Sequence, residues 1–207
     1  MSQTSVAAGR PRVASSSPVP STEADRGVVD AERARILVAG VGNIFFGDDA
    51  FGVEVVHRLL RRRLPAVVEV VDFGIRGLDL AYALLDPYEA VILVDAVPRG
   101  GAPGTLYVQE PDVHNLGETP ADAPLVEAHA LDPARVLCLV DALGGSVKRL
   151  VIVGCEPDAA TNSDDMQMGL STPVEAAIDR AIPLIESLVD RILEEGEKAL
   201  VAAFDPR

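Results

Sequence analysis

The chain is predicted to fold as an α/β three-layer sandwich: a twisted, mostly parallel sheet with helices on both faces and one edge strand free to run antiparallel. Two observations predict this. From Ile36 onward, short apolar runs rich in β-branched residues recur, each too short for a helix; uninterrupted hydrophobicity of that kind marks strands covered on both faces. Between the runs lie stretches whose apolar residues repeat at helical spacing, the alternation typical of parallel βαβ units. The composition agrees, since 48% hydrophobic and 24% charged residues over 207 positions suffice for one domain with a sizeable core.

The first strand reads Ile36-Leu-Val-Ala-Gly40, and Val53, Val56, Leu59, Leu60 and Leu64 then predict a helix. A second strand covers Ala66 to Asp72, a second helix Leu78 to Leu85, and a third strand Ala90 to Asp95. Gly104 to Gln109 reads as an added edge strand entered through the turn residues Gly100-Gly-Ala-Pro103. A helix over Leu131 to Leu143 leads to the strand Arg149 to Gly154, and Ser171-Thr-Pro173 signals the start of a last helix over Val174 to Leu193.

Residues 1–35 differ in kind. Ser2 to Arg35 contain no Leu, Ile or aromatic residue, while Ser, Pro, Ala and charge dominate. Such a stretch cannot bury enough apolar area to offset its ordering entropy, so a disordered N-terminal extension is expected, with the folded domain over 36–207. The extension also lacks the apolar core of a secretory signal.

The formal charge of −14 comes from 32 acids against 18 bases. A chain this acidic repels phosphate backbones and anionic lipid surfaces, and the short run Arg61-Arg62-Arg63 is a weak counterweight. No segment approaches the ~18 apolar residues of a bilayer span. Neither nucleic acid nor membrane is an expected partner. Cys138 and Cys155 have no metal-type spacing and cannot make a disulfide framework, which suits a reducing cytoplasm.

In an open α/β sheet the ligand site lies outside the carboxyl ends of the strands. Those ends carry Gly40-Val-Gly42-Asn43, Asp72, Asp95 and Gly154-Cys-Glu156, so three of four present a carboxylate. After the first strand comes Gly40-Val-Gly-Asn-Ile-Phe-Phe-Gly-Asp-Asp-Ala-Phe-Gly52. A dinucleotide fingerprint would need glycine where Phe45 stands, and a phosphate loop would need Lys and Ser/Thr where Asp48 and Asp49 stand. An acidic pair repels polyphosphate. Helix capping uses only one member, with Asp48 as the N-cap, leaving Asp49 free to face the rim. Of the histidines, His57 is expected on the surface and His114 in a polar loop, whereas His129 immediately precedes a helix. Asp49, Asp95 and His129 together make a mixed oxygen and nitrogen site suited to a divalent ion such as zinc or nickel. Asp72 is then a supporting or substrate-contacting carboxylate. Cys155 reads as a small buried thiol before it reads as a nucleophile.

These segments resemble the hydrogenase maturation proteases. The resemblance is carried by Ile36-Leu-Val-Ala-Gly-Val-Gly-Asn-Ile-Phe-Phe-Gly-Asp-Asp-Ala-Phe-Gly-Val53, then Val71-Asp72, Leu93-Val-Asp-Ala96, His129, Val153-Gly-Cys-Glu-Pro157 and Gly169-Leu-Ser-Thr-Pro-Val174. It implies that residues 36–207 are a cytoplasmic, monomeric endopeptidase that removes the C-terminal extension of the [NiFe]-hydrogenase large subunit precursor. It implies further that Asp49, Asp95 and His129 recognise nickel already inserted in that precursor, with zinc or another divalent metal as an alternative occupant. No serine or cysteine nucleophile is implied. Asp72 would be a base or a substrate contact. The competing expectation is a non-catalytic, nickel-sensing chaperone of the same subunit.

Overall fold

The computed structural model describes residues 35–113, 133–159 and 168–204. The elements are β1 (Ile36–Val41), a 3-10 turn (Gly47–Ala50), α1 (Phe51–Leu59), β2 (Val68–Gly74), α2 (Gly77–Ala83), β3 (Ala90–Ala96), β4 (Leu106–Gln109), α3 (Pro133–Ala142), β5 (Leu150–Cys155) and α4 (Thr172–Phe204). The expected disordered extension lies almost wholly outside the described residues, Arg35 apart.

Five strands form one sheet in the order β2-β1-β3-β5-β4. β1, β2, β3 and β5 run parallel, and β4 pairs antiparallel with β5, as the edge strand was free to do. Alternate residues divide the core between two faces. Ile36, Val38, Ile92, Val94, Val151 and Val153 pack with Phe51, Val55, Val56 and Leu59 of α1 and with Ile178, Ile185 and Val189 of α4. On the other face Leu37, Ala39, Val41, Val91 and Leu93 pack with Leu80 and Leu84 from the α2 segment and Val136 and Val140 of α3. The three layers follow from this division.

Two helix ends differ from the sequence reading by more than two residues. α1 stops at Leu59, not near Leu64, and its last turn tightens, with Arg61 N–H donating to Arg58 O at 3.2 Å and Arg62 N–H to Leu59 O at 2.8 Å. Leu64 precedes Pro65, whose ring disfavours helical backbone at the preceding residue. Arg62, part of the basic run, is engaged by Glu186 of α4 at 2.9 Å. α4 extends beyond Leu193 to Phe204. Among the described residues no helix is long and apolar enough to cross a membrane.

Candidate functional site

The strand order reverses at β1. The chain leaves β1 through α1 to β2 on one side, and β3 lies on the other. The crevice between the carboxyl ends of β1 and β3 is therefore the switch point of the sheet, the usual ligand position in such folds. β1 ends in a turn at Gly42, whose φ of +129° strains any residue with a side chain. The Gly42 N–H donates to Gly74 O at 3.0 Å, which ties this turn to the end of β2. Asn43 N–H donates to Asp49 Oδ2 at 2.6 Å, drawing the second acid of the pair back over the end of β1.

Asp95 is the penultimate residue of β3 and accepts from Ala96 N–H at 2.8 Å through Oδ1. Burial pushes the Asp95 carboxyl well above its ordinary value, and the negative charge of Asp49 adds to the shift, against the Ala96 bond. Asp49 is raised too, by burial against the opposing bond from Asn43. Two partly buried carboxylates within electrostatic reach favour a shared proton or a bound cation. Their donors are hard oxygens, which fit a divalent ion.

Asp49 and Asp95 are thus brought together. Asp72 stands on β2, beyond β1 from Asp95, with Oδ2 hydrogen-bonded to His57 Nε2 of α1 at 3.0 Å. His57 is on the surface as expected, but it is not idle. His114 and His129 lie outside the described residues. Among the described residues no group of three or more His, Cys, Asp or Glu side chains is placed to hold a metal ion.

Asp48 does something that the capping argument missed. The N-cap position of α1 falls on Ala50, without a side-chain cap, and Asp48 is 1% exposed. Its carboxylate accepts from Asp158 N–H at 2.8 Å, Ser171 N–H at 2.6 Å and Ser171 Oγ–H at 2.8 Å. It fastens the 3-10 turn to the segment after β5 and to the entry of α4. Removing a buried acceptor from such donors leaves them unsatisfied, so Asp48→Ala is expected to cost about 3–5 kcal/mol, read as a lowered urea midpoint.

The third acidic strand end is also structural. Glu156 is buried and accepts from the N–H groups of Arg99 and Gly100 at 2.9–3.0 Å and from the Tyr107 hydroxyl at 2.7 Å. Burial raises its pKa, but the bonds from Tyr107 and the Arg99, Gly101 and Gly100 N–H groups outweigh that and hold it below the ordinary range. Glu156 so shapes the loop that follows Asp95. Cys155 is fully buried, and burial with the nearby charge of Asp48 pushes its thiol up to about 12. A thiol that does not ionise near neutral pH is not a nucleophile.

Known proteins resemble this chain in sequence and fold. The sequence profile of the hydrogenase maturation protease family HycI matches residues 53–188. The hydrogenase 2 maturation protease of Escherichia coli K12 is 33% identical over 80% of this chain and 95% of its own. Among solved structures, the hydrogenase maturating endopeptidase HybD of E. coli superposes with a TM-score of 0.59 at 29% identity, covering 76% of this chain and 93% of that one. The [NiFe] hydrogenase maturation protease HycI of Thermococcus kodakarensis KOD1 gives 0.54 at 26% identity, over 80% and 96%.

Proposed function

The chain belongs to the hydrogenase maturation protease family, and from that premise we propose that it is the endopeptidase that removes the C-terminal extension of a nickel-loaded [NiFe]-hydrogenase large subunit precursor. The observation that carries the proposal is the carboxylate pair Asp49 and Asp95 at the switch point, where the charge of one raises the pKa of the other. Two such groups repel unless a proton or a cation lies between them.

The nickel is part of the substrate. Asp49 and Asp95 supply two oxygens to it, and His129 a nitrogen; the same donors accept zinc or another divalent ion. Bound by these residues, such a metal would supply Lewis acidity toward the scissile carbonyl and an attacking water. Water is the attacking group: Cys155 is buried and protonated, and the Ser171 hydroxyl is spent on Asp48. Its oxygen bonds to the carbonyl carbon, the C–N bond breaks, and the amine leaves with a proton. Asp72, held by His57, accepts the water's proton or contacts the peptide. The protein works as a monomer in the cytoplasm.

The deciding experiment mixes the purified protein with nickel-loaded precursor and follows the large subunit by mass. Loss of a C-terminal peptide is expected. Stable binding without release would replace the protease with a chaperone that senses nickel. Cys155→Ala is expected to retain processing within about twofold, because no step passes through the thiol. Loss of activity in a folded Cys155→Ala protein would refute the water mechanism.

A further inference from the structure

We infer that the outer face of α2, with the loop after β1, is the surface on which the folded body of the protein substrate docks while its C-terminal segment reaches Asp49 and Asp95. The inference rests on the endopeptidase reading above.

Ile44, Phe45, Ile75, Leu78 and Tyr82 are 43–61% exposed. Leu78 and Tyr82, four residues apart, lie along one side of α2, with Ile75 in the turn just ahead of it, while Leu80 and Ala81 on its other side are buried in the core. Such a helix is apolar on both sides, and among the described residues its outer side chains stay about half exposed. Ile44 and Phe45 extend that face toward the site: they follow Asn43, whose N–H holds Asp49, and the Gly42–Gly74 bond joins their loop to the one carrying Ile75. Asp95 shares its side of the sheet with Leu93, which packs in the same layer as α2. Arg76 and Asp79, an exposed pair at 3.6 Å, give the patch a polar margin.

The size of the patch argues for a transient partner. Five large side chains, each about half exposed, offer on the order of 500 Å², short of the ~800 Å² per partner of a stable interface. Charge argues against a second copy, since each chain carries −14. A folded substrate that binds, is cut and leaves fits both.

The test compares wild type with Leu78→Glu/Tyr82→Glu, whose side chains are more than half exposed, so that an unchanged melting temperature certifies the fold. With nickel-loaded precursor the double variant is expected to raise KM about tenfold or more while kcat at saturation is kept, and Leu78→Met/Tyr82→Phe to restore KM. An unchanged KM in the double variant, with wild type cleaving normally, overturns the docking surface and leaves the protease reading intact. If wild type binds precursor without cutting it, the protease reading fails; the surface then stands if the double variant loses that binding and falls if it does not. A wild-type dimer in sedimentation that the double variant dissolves assigns the patch to a second copy and overturns the inference.

Discussion

Gly52→Ala is expected to destabilise the protein by about 4 kcal/mol or more, a large part of the stability of an ordinary domain. A Cβ at position 52 would stand 2.1 Å from Val94 O and 2.3 Å from Val41 O. Both are backbone atoms, one within β3 and one at the end of β1, fixed by neighbours in the sheet, so neither can yield as a flexible side chain does. The first turn of α1 would have to lift off the sheet. That turn begins two residues after Asp49, and Asp95 directly follows Val94, so a rescued, partly folded variant would also lose the alignment of the acidic pair. Gly42→Ala is worse placed still, with a Cβ 1.8 Å from Asp49 O and a φ of +129°. Urea unfolding followed by circular dichroism measures both, with low soluble yield the expected first sign. A midpoint within ~1 kcal/mol of wild type for Gly52→Ala would mean that α1 is free to move relative to β1 and β3.

The glycines show why part of this protein could be read from sequence. β1, β3 and β5 are central strands, and a strand covered on both faces must be apolar at every position, which is a purely local signal. The rim position of Asp95 was legible for a related reason, since a carboxylate that ends such a run lies at the rim by construction, whereas Asp49 stands eight residues past β1 and is drawn back by the bond from Asn43. Asp48 was not legible. Its partners Asp158 and Ser171 lie 110 and 123 residues away, and no local pattern distinguishes a capping aspartate from one that fastens two distant segments. Likewise, Asp72 was visible as a strand end, but its bond to His57 depends on how α1 packs across β2. Glu156 reads as a rim carboxylate until its loop is seen to close over it.

Asp95→Asn is expected to change stability and function in opposite directions. In the native protein the Asp95 pKa is raised well above its ordinary value of 3.8, by burial and then by the charge of Asp49. Across the interval from about that ordinary value up to the raised one, the native state holds a proton that the unfolded chain has released. Stability contributed by this group therefore falls as pH rises through the interval, and above it the native state bears the whole cost of an ionised carboxylate beside Asp49. Asparagine has nearly the same shape and no charge. Metal-free Asp95→Asn should melt above metal-free wild type at pH 7, by at least a few degrees if the relief is about 1–2 kcal/mol, and the gain should vanish toward pH 4. Precursor processing should nevertheless drop to about one thousandth or less, because an amide oxygen neither carries charge to a cation nor opposes Asp49 across it. A purely structural carboxylate predicts the reverse pattern, with stability lost and processing reduced only in proportion to the folded fraction. The two measurements on one variant separate a site held under electrostatic strain for a cation from an aspartate that merely ends a strand.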